Sequence, residues 1–184
     1  MIDPVLVTPP AELLTLPEVK THLKIDHSHL DSMLEGYIAA AVAWLDGWNG
    51  VLGRCILTQT WAFRCAELVD MALLFPDVQS AVVTYLDAAG ATQTVNPSDY
   101  RVRTRNGQGE LVFAESFSAP TLLAGRDDAV TVTAVYGKAE APPPLKVAAL
   151  MLVAHLERNP EGAWENVPAG VEAMIAPYRM AQVG

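Results

Sequence analysis

Residues 53–65 read GRCILTQTWAFRC, and the reading of this stretch decides the fold. Before it, apolar residues recur at helical spacing. After it, they alternate with a period of two and turn residues multiply. The stretch is therefore read as the junction where a long helix hands over to a β block, with Ile56, Trp61 and Phe63 packing and Gln59 and Thr60 at ladder or interface positions. The two cysteines invite another reading, as a metal or redox site. Cys55 and Cys65 have no second cysteine pair and no nearby histidine, and ten positions of extended chain span about 33 Å, so they are expected to be small apolar residues of a sheet.

Upstream, Thr15, Pro17 and Glu18 carry the start signals of a short helix that should run to about Lys24: a capping threonine, a first-turn proline and the capping-box acid. Asp26-His27-Ser28-His29 breaks the pattern, and Ser28 with Asp31 is expected to cap a second helix. Along that helix Leu30, Met33, Leu34, Tyr37, Ile38, Ala41, Trp44, Leu45 and Trp48 form a broad apolar stripe, ended by Asn49-Gly50 and Gly53.

Downstream, strands are expected from Ile56 to Phe63, from Ala66 to Phe75 and from Ser80 to Leu86. Asp87-Ala88-Ala89-Gly90 turns the chain into Ala91–Val95. Tyr100–Arg105, Asn106-Gly107 and Glu110–Phe113 form the strongest hairpin signal, because Asn-Gly accepts the positive φ of a type I′ turn. Ala129–Tyr136 closes the β section. A proline-rich loop then leads into an apolar helix over Leu145–Glu157, stopped by Asn159-Pro160-Glu161-Gly162, and a last helix spans Val171–Ala176. The order reads as α+β: two N-terminal helices (1–53), an antiparallel β insertion (54–137) and two C-terminal helices (138–184) in a single domain.

The chain carries 12 Lys and Arg against 21 Asp and Glu, a formal charge of −9. Residues 1–53 are the most acidic part, with seven acids and two bases. Such a balance disfavours ordinary nucleic-acid binding, since phosphates would be repelled, but suits a surface that DNA slides past. MIDPVLVTPP has neither a basic start nor a sustained apolar run, so no export signal and reduced cysteines are expected; the apolar run Leu145–Leu156 is too short to span a bilayer.

His22, His27 and His29 cluster beside Asp26 and Asp31, where a metal-dependent enzyme would have its site. The segment is also a polar connection in which caps and solvated side chains are the ordinary occupants. Arg101, Arg103 and Arg105 alternate and so share one strand face, which could touch a nucleic-acid backbone, though an acidic partner subunit or a solvated surface suits the acidic chain better. No phosphate loop, nucleophile elbow, HExxH or paired-carboxylate signature is present in the sequence. No catalytic residue, metal or cofactor is assigned.

Six segments taken in order, LTLPEVKTHLKID, the helix ending near GRCILTQTW, FPDVQSAVVTYLDAAGATQTVNPSDYRV, VTVTAVYG, PPPLKVAALMLVAHLERN and PAGVEAMIAPYR, resemble the head-tail connector (portal adaptor) proteins of long-tailed double-stranded DNA phages and of gene transfer agents. The resemblance covers about residues 13–179; it departs at Trp48–Gly53, where relatives have a shorter aromatic-Thr-Gly-Arg junction.

The resemblance implies a helical bundle with an inserted β region and structural rather than catalytic work. The implied assembly is a homo-oligomeric ring, usually of twelve copies, in the virion neck. It would contact the portal on one side and a stopper or tail-completion protein on the other, and form in the host cytoplasm. DNA would pass through without sequence-specific binding, and no membrane would be involved. C-terminal elements would engage the portal, making Leu145, Leu152, Met174, Tyr178 and Arg179 the candidate contacts. Glu35 and Asp46 are candidate channel or rim carboxylates, and Arg101, Arg103 and Arg105 a candidate subunit interface. A different neck or tail-completion role is the main alternative.

Overall fold

In the computed structural model, residues 2–105, 107–160 and 166–180 are described, with side chains from Pro4 onward. These residues form four α-helices and two antiparallel sheets, a mixed α+β fold. The chain divides into two units, a helical one comprising Ala11–Ile56 and Ala139–Gly184 and a β unit comprising Met1–Pro10 and Leu57–Lys138.

The helical unit starts with α1, Leu16–Leu23, where the capping box forms: the Thr15 hydroxyl accepts from the Glu18 N–H at 3.4 Å and the Glu18 carboxylate accepts from the Thr15 N–H at 3.0 Å. Lys24 closes the helix in the left-handed region, with φ 59°. The second helix, α2, spans Asp31–Leu45 and starts without the side-chain cap expected from Ser28. Asp31 instead meets the Lys20 ammonium of α1 at 2.6 Å.

Helix α2 ends at Leu45, earlier than Asn49-Gly50 suggested. Asp46 turns extended and its carboxylate accepts the Ile56 N–H at 2.7 Å, while the Val51 N–H returns to the Trp44 carbonyl at 2.8 Å. Trp48 therefore leaves the helical stripe and is 48% exposed. The next helix, α3 (Pro143–Arg158), buries Leu145, Ala148, Ala149, Leu152, Val153 and Leu156. Both α2 and the short α4, Ala169–Ile175, pack against it, and α4 contributes the buried Val171 and Ile175. Helix α3 stops at Arg158, the Asn159 N–H bonding the His155 carbonyl; Glu161 and Gly162 of the expected stop lie outside the described residues.

The β unit holds β1 Ile2–Thr8, β2 Gln59–Cys65, β3 Met71–Ala72, β4 Val78–Leu86, β5 Thr92–Thr94, β6 Tyr100–Arg105, β7 Gln108–Phe113 and β8 Val130–Tyr136. One sheet has the order β1-β2-β8-β4-β5 and the other β3-β7-β6. Central β8 alternates: Val130, Val132, Ala134 and Tyr136 are buried, with half-buried residues between. Its register places Phe63 and Val83 on either side of Val132, and the Phe75 ring stands edge-on to Tyr136 at 5.2 Å.

Two strands differ from the sequence reading. Ile2–Thr8 forms β1, an edge strand on β2, where Pro4 is tolerated because no inner neighbour needs its missing N–H. Of Ala66–Phe75 only Met71–Ala72 is strand; Leu73, Leu74 and Phe75 are buried in succession, which a loop folding into the core achieves and an alternating strand does not. In the β6–β7 hairpin Arg105 pairs with Gln108 and Gly107 has φ 78°; Asn106 of the expected turn lies outside the described residues.

Candidate functional site

The C-terminal candidates separate into core and surface. Leu145 and Leu152 are 1% and 0% exposed, so within this chain they hold α3 inside the helical unit. Burying each stabilises by about 2 kcal/mol, which is reason enough for their apolar character. Met174 of α4 and Tyr178 beyond it are half-exposed and Arg179 is exposed, its guanidinium 2.8 Å from the Glu172 carboxylate. The Met180 N–H donates to the Leu52 carbonyl at 3.0 Å. This bond fixes the C-terminal segment against the turn after α2, an anchor that no side-chain pattern in the sequence announces.

The two acidic candidates also part company. Glu35 is exposed on α2, whereas Asp46 is half-buried and spends its carboxylate on the Ile56 backbone. Asp46 thus serves as a helix-terminating acceptor within this chain.

In the β unit, the pairs Arg101 with Val112, Arg103 with Glu110 and Arg105 with Gln108 put the three arginines on one face of the β6–β7 hairpin. Arg103 is tied to Glu110 at 2.9 Å, and among the described residues Arg101 and Arg105 have no ion pair. Two shallow depressions of about 260 and 690 Å³ lie on this hairpin and share Asp70 and Val112. Asp70 accepts the Phe113 N–H at 2.8 Å. Arginines and carboxylates mix here, a pattern suited to ion pairs with another polypeptide.

The residues that would carry chemistry are dispersed. Cys55 is buried, and burial pushes the half-buried Cys65 thiol above its ordinary pKa, so it is not a poised nucleophile. The His27 and His29 rings lie 5.4 Å apart, but among the described residues no group of three or more His, Cys, Asp or Glu is placed to hold a metal ion. No helix of the described residues is long and apolar enough to cross a membrane.

The model of the head completion protein (HCP) family matches residues 12–181. Among curated proteins no relative matches the sequence. Among solved structures, the fold is similar to a chain in the neck of an empty gene transfer agent (GTA) particle computed with C6 symmetry: TM-score 0.79, 21% identity, covering 100% of this chain and 98% of that one. A chain in the virion of a native GTA particle matches with TM-score 0.77 and 19% identity, covering 100% and 98%. One in the neck of a native particle computed with C12 symmetry matches with TM-score 0.72 and 21% identity, covering 98% and 97%. With a family model spanning nearly the whole sequence, the chain belongs to the head completion proteins, a head-tail connector family.

Proposed function

We propose that the chain is a structural, non-enzymatic adaptor of the virion neck. It forms a ring, of twelve copies, between the portal and a tail-side stopper or tail-completion protein, and leaves a channel for DNA. The observation that carries this reading is the family match over residues 12–181, and the likeness to chains of GTA necks computed with C6 and C12 symmetry supports the ring. Met174, Tyr178 and Arg179 are the portal contacts of this reading, being the C-terminal candidates left on the surface. Glu35 supplies negative charge to the channel or rim, where carboxylates repel phosphates and keep DNA from adhering. Arg101, Arg103 and Arg105 belong to the contact between copies. Assembly takes place in the host cytoplasm.

Electron microscopy of the chain mixed with portal protein of the same particle tests this. A ring stacked below the portal is expected. Binding to purified tail tube in place of portal would move the chain to a tail-completion role, and association with neither would remove the reading.

A further inference from the structure

Strand β1 is held unlike the strands behind it. Val5, Leu6 and Val7 follow one another at 57%, 41% and 54% exposed. Val5 stands opposite Ala62 and Leu6 opposite Trp61, so the two point to opposite faces, and neither face of the strand is covered. From Pro4 to Thr8 no side chain is buried. The ladder to β2 is broken by register shifts between Ile2 and Val5 and between Leu6 and Thr8, whereas β2 pairs with β8 without a break from Gln59–Tyr136 to Cys65–Val130. Main-chain bonds with little packing hold β1, and such elements open at the low end of the stability scale. Exposed edges are commonly guarded by charge, yet Pro4 to Pro10 carry none.

The attachment of β1 points to what it does. After Pro9 and Pro10 the chain enters the helical unit at Ala11, and it reaches β2 only at Gln59. By covalent connection β1 is an arm of the helical unit, paired to the β unit through backbone bonds that any copy's β2 edge can supply. Each proline fixes φ near about −65°, so the pair runs extended at about 3.1 Å per residue. Exchanging an identical strand between copies keeps the β1–β2 bonds and so costs little. Around a ring, the next copy's β2 edge is tethered at an effective concentration comparable with the copy's own. The arm and the edge are unlike surfaces, so the exchange runs head to tail, the relation that closes into a ring. In the exchanged arrangement the apolar arm bridges two molecules, and both chains are at hand to cover Val5, Leu6 and Val7.

Resting on the ring reading above, we infer that β1 of each copy leaves its own β2 on assembly and pairs with β2 of the neighbouring copy. The test uses full-length V5C, A62C and V5C/A62C, oxidised alone and after mixing with portal protein, with the parent chain as the control for Cys55 and Cys65. Directly opposite Cβ atoms lie about 4.5–5.5 Å apart, within reach of a disulfide after a small shift. Alone, the double variant is expected to close within one chain; with portal it should give a ladder of linked multimers, at least tenfold above the parent chain. An equal mixture of the single variants with portal should give V5C–A62C dimers and nothing larger, a readout that holds even where the double variant folds poorly. Rings in which every V5C–A62C link lies within one chain, and in which the mixed single variants stay unlinked, would overturn the inference while leaving the adaptor reading intact. Links of V5C to itself in place of A62C would overturn it in favour of β1 pairing with β1. Absence of rings from the parent chain with portal would remove both readings.

Discussion

The Lys146 ammonium lies 2.6 Å from the Glu18 carboxylate across 128 residues of sequence, joining the start of α1 to the first turn of α3. Glu18 also accepts the Thr15 N–H, so one carboxylate caps a helix and pins a second one to it.

That bond sets a pH dependence. The Lys146 hydrogen bond first, and then the Thr15 N–H, hold the Glu18 pKa at about 2, well below the ordinary value of 4.5. A lowered folded-state pKa gives stability that is present above about 4.5 and is lost as pH falls toward about 2. The pair is exposed, so its worth is that of a cap plus a surface ion pair, about 1 kcal/mol. E18Q is expected to destabilise by that amount at pH 7 and to converge on the parent chain near pH 2, as read by urea denaturation at both values. A deficit that does not shrink with acid would refute the linkage.

Asp46 should reveal itself as an acceptor and not as a charge. D46A strands the Ile56 N–H and is expected to cost about 1–2 kcal/mol. D46N keeps an oxygen in place and should lose less than half of that. Equal losses in the two variants, compared by denaturation midpoint, would contradict the assignment.

Two glycines should respond in opposite directions to alanine. A Cβ at Gly109 would come within 2.6 Å of the Phe75 carbonyl oxygen, a backbone atom with little room to yield. G109A is expected to destabilise by about 1–3 kcal/mol. Gly36 sits mid-helix with open space around it, so G36A should stabilise the isolated chain by about 0.5–1 kcal/mol. Thermal melts of both variants decide this, and a stabilising G109A would show that the β7 backbone is not confined.

The thiols should be sluggish. Since burial raises the Cys65 pKa and Cys55 is 2% exposed, alkylation at pH 8 should be several-fold slower in the native chain than in urea, with Cys55 the slower of the two. Peptide mapping by mass spectrometry measures each site. Rapid labelling of native Cys65 at neutral pH would point to a thiolate.

What the sequence made legible were the elements with local chemistry. Thr15, Pro17 and Glu18 specified α1, the β-branched alternation of Val130–Tyr136 specified β8, and Gly107 marked the β6–β7 turn. What escaped it was decided by distant partners. Strand β1 depends on β2, some fifty residues away, and its Pro4, with Pro9 and Pro10 just beyond it, argues locally against a strand. The end of α2 was obscured because Trp44 and Trp48 prolong the helical spacing, whereas the break is made by Asp46 reaching Ile56. Leu145 and Leu152 are covered within their own chain, which the sequence could not announce for a related reason: an apolar periodicity says that a helix face is covered, and not whether its own chain or a neighbour covers it.

Strand β1 carries one more consequence. It closes the edge of β2 with residues that precede all the helices, so the β unit is not a contiguous stretch that can be lifted out of the gene. A fragment limited to residues 57–138 would bare the backbone donors and acceptors of β2 that face β1, an edge that recruits strands from other molecules and drives aggregation. Poor solubility of such a fragment would report a missing strand and say nothing against the fold of the whole chain.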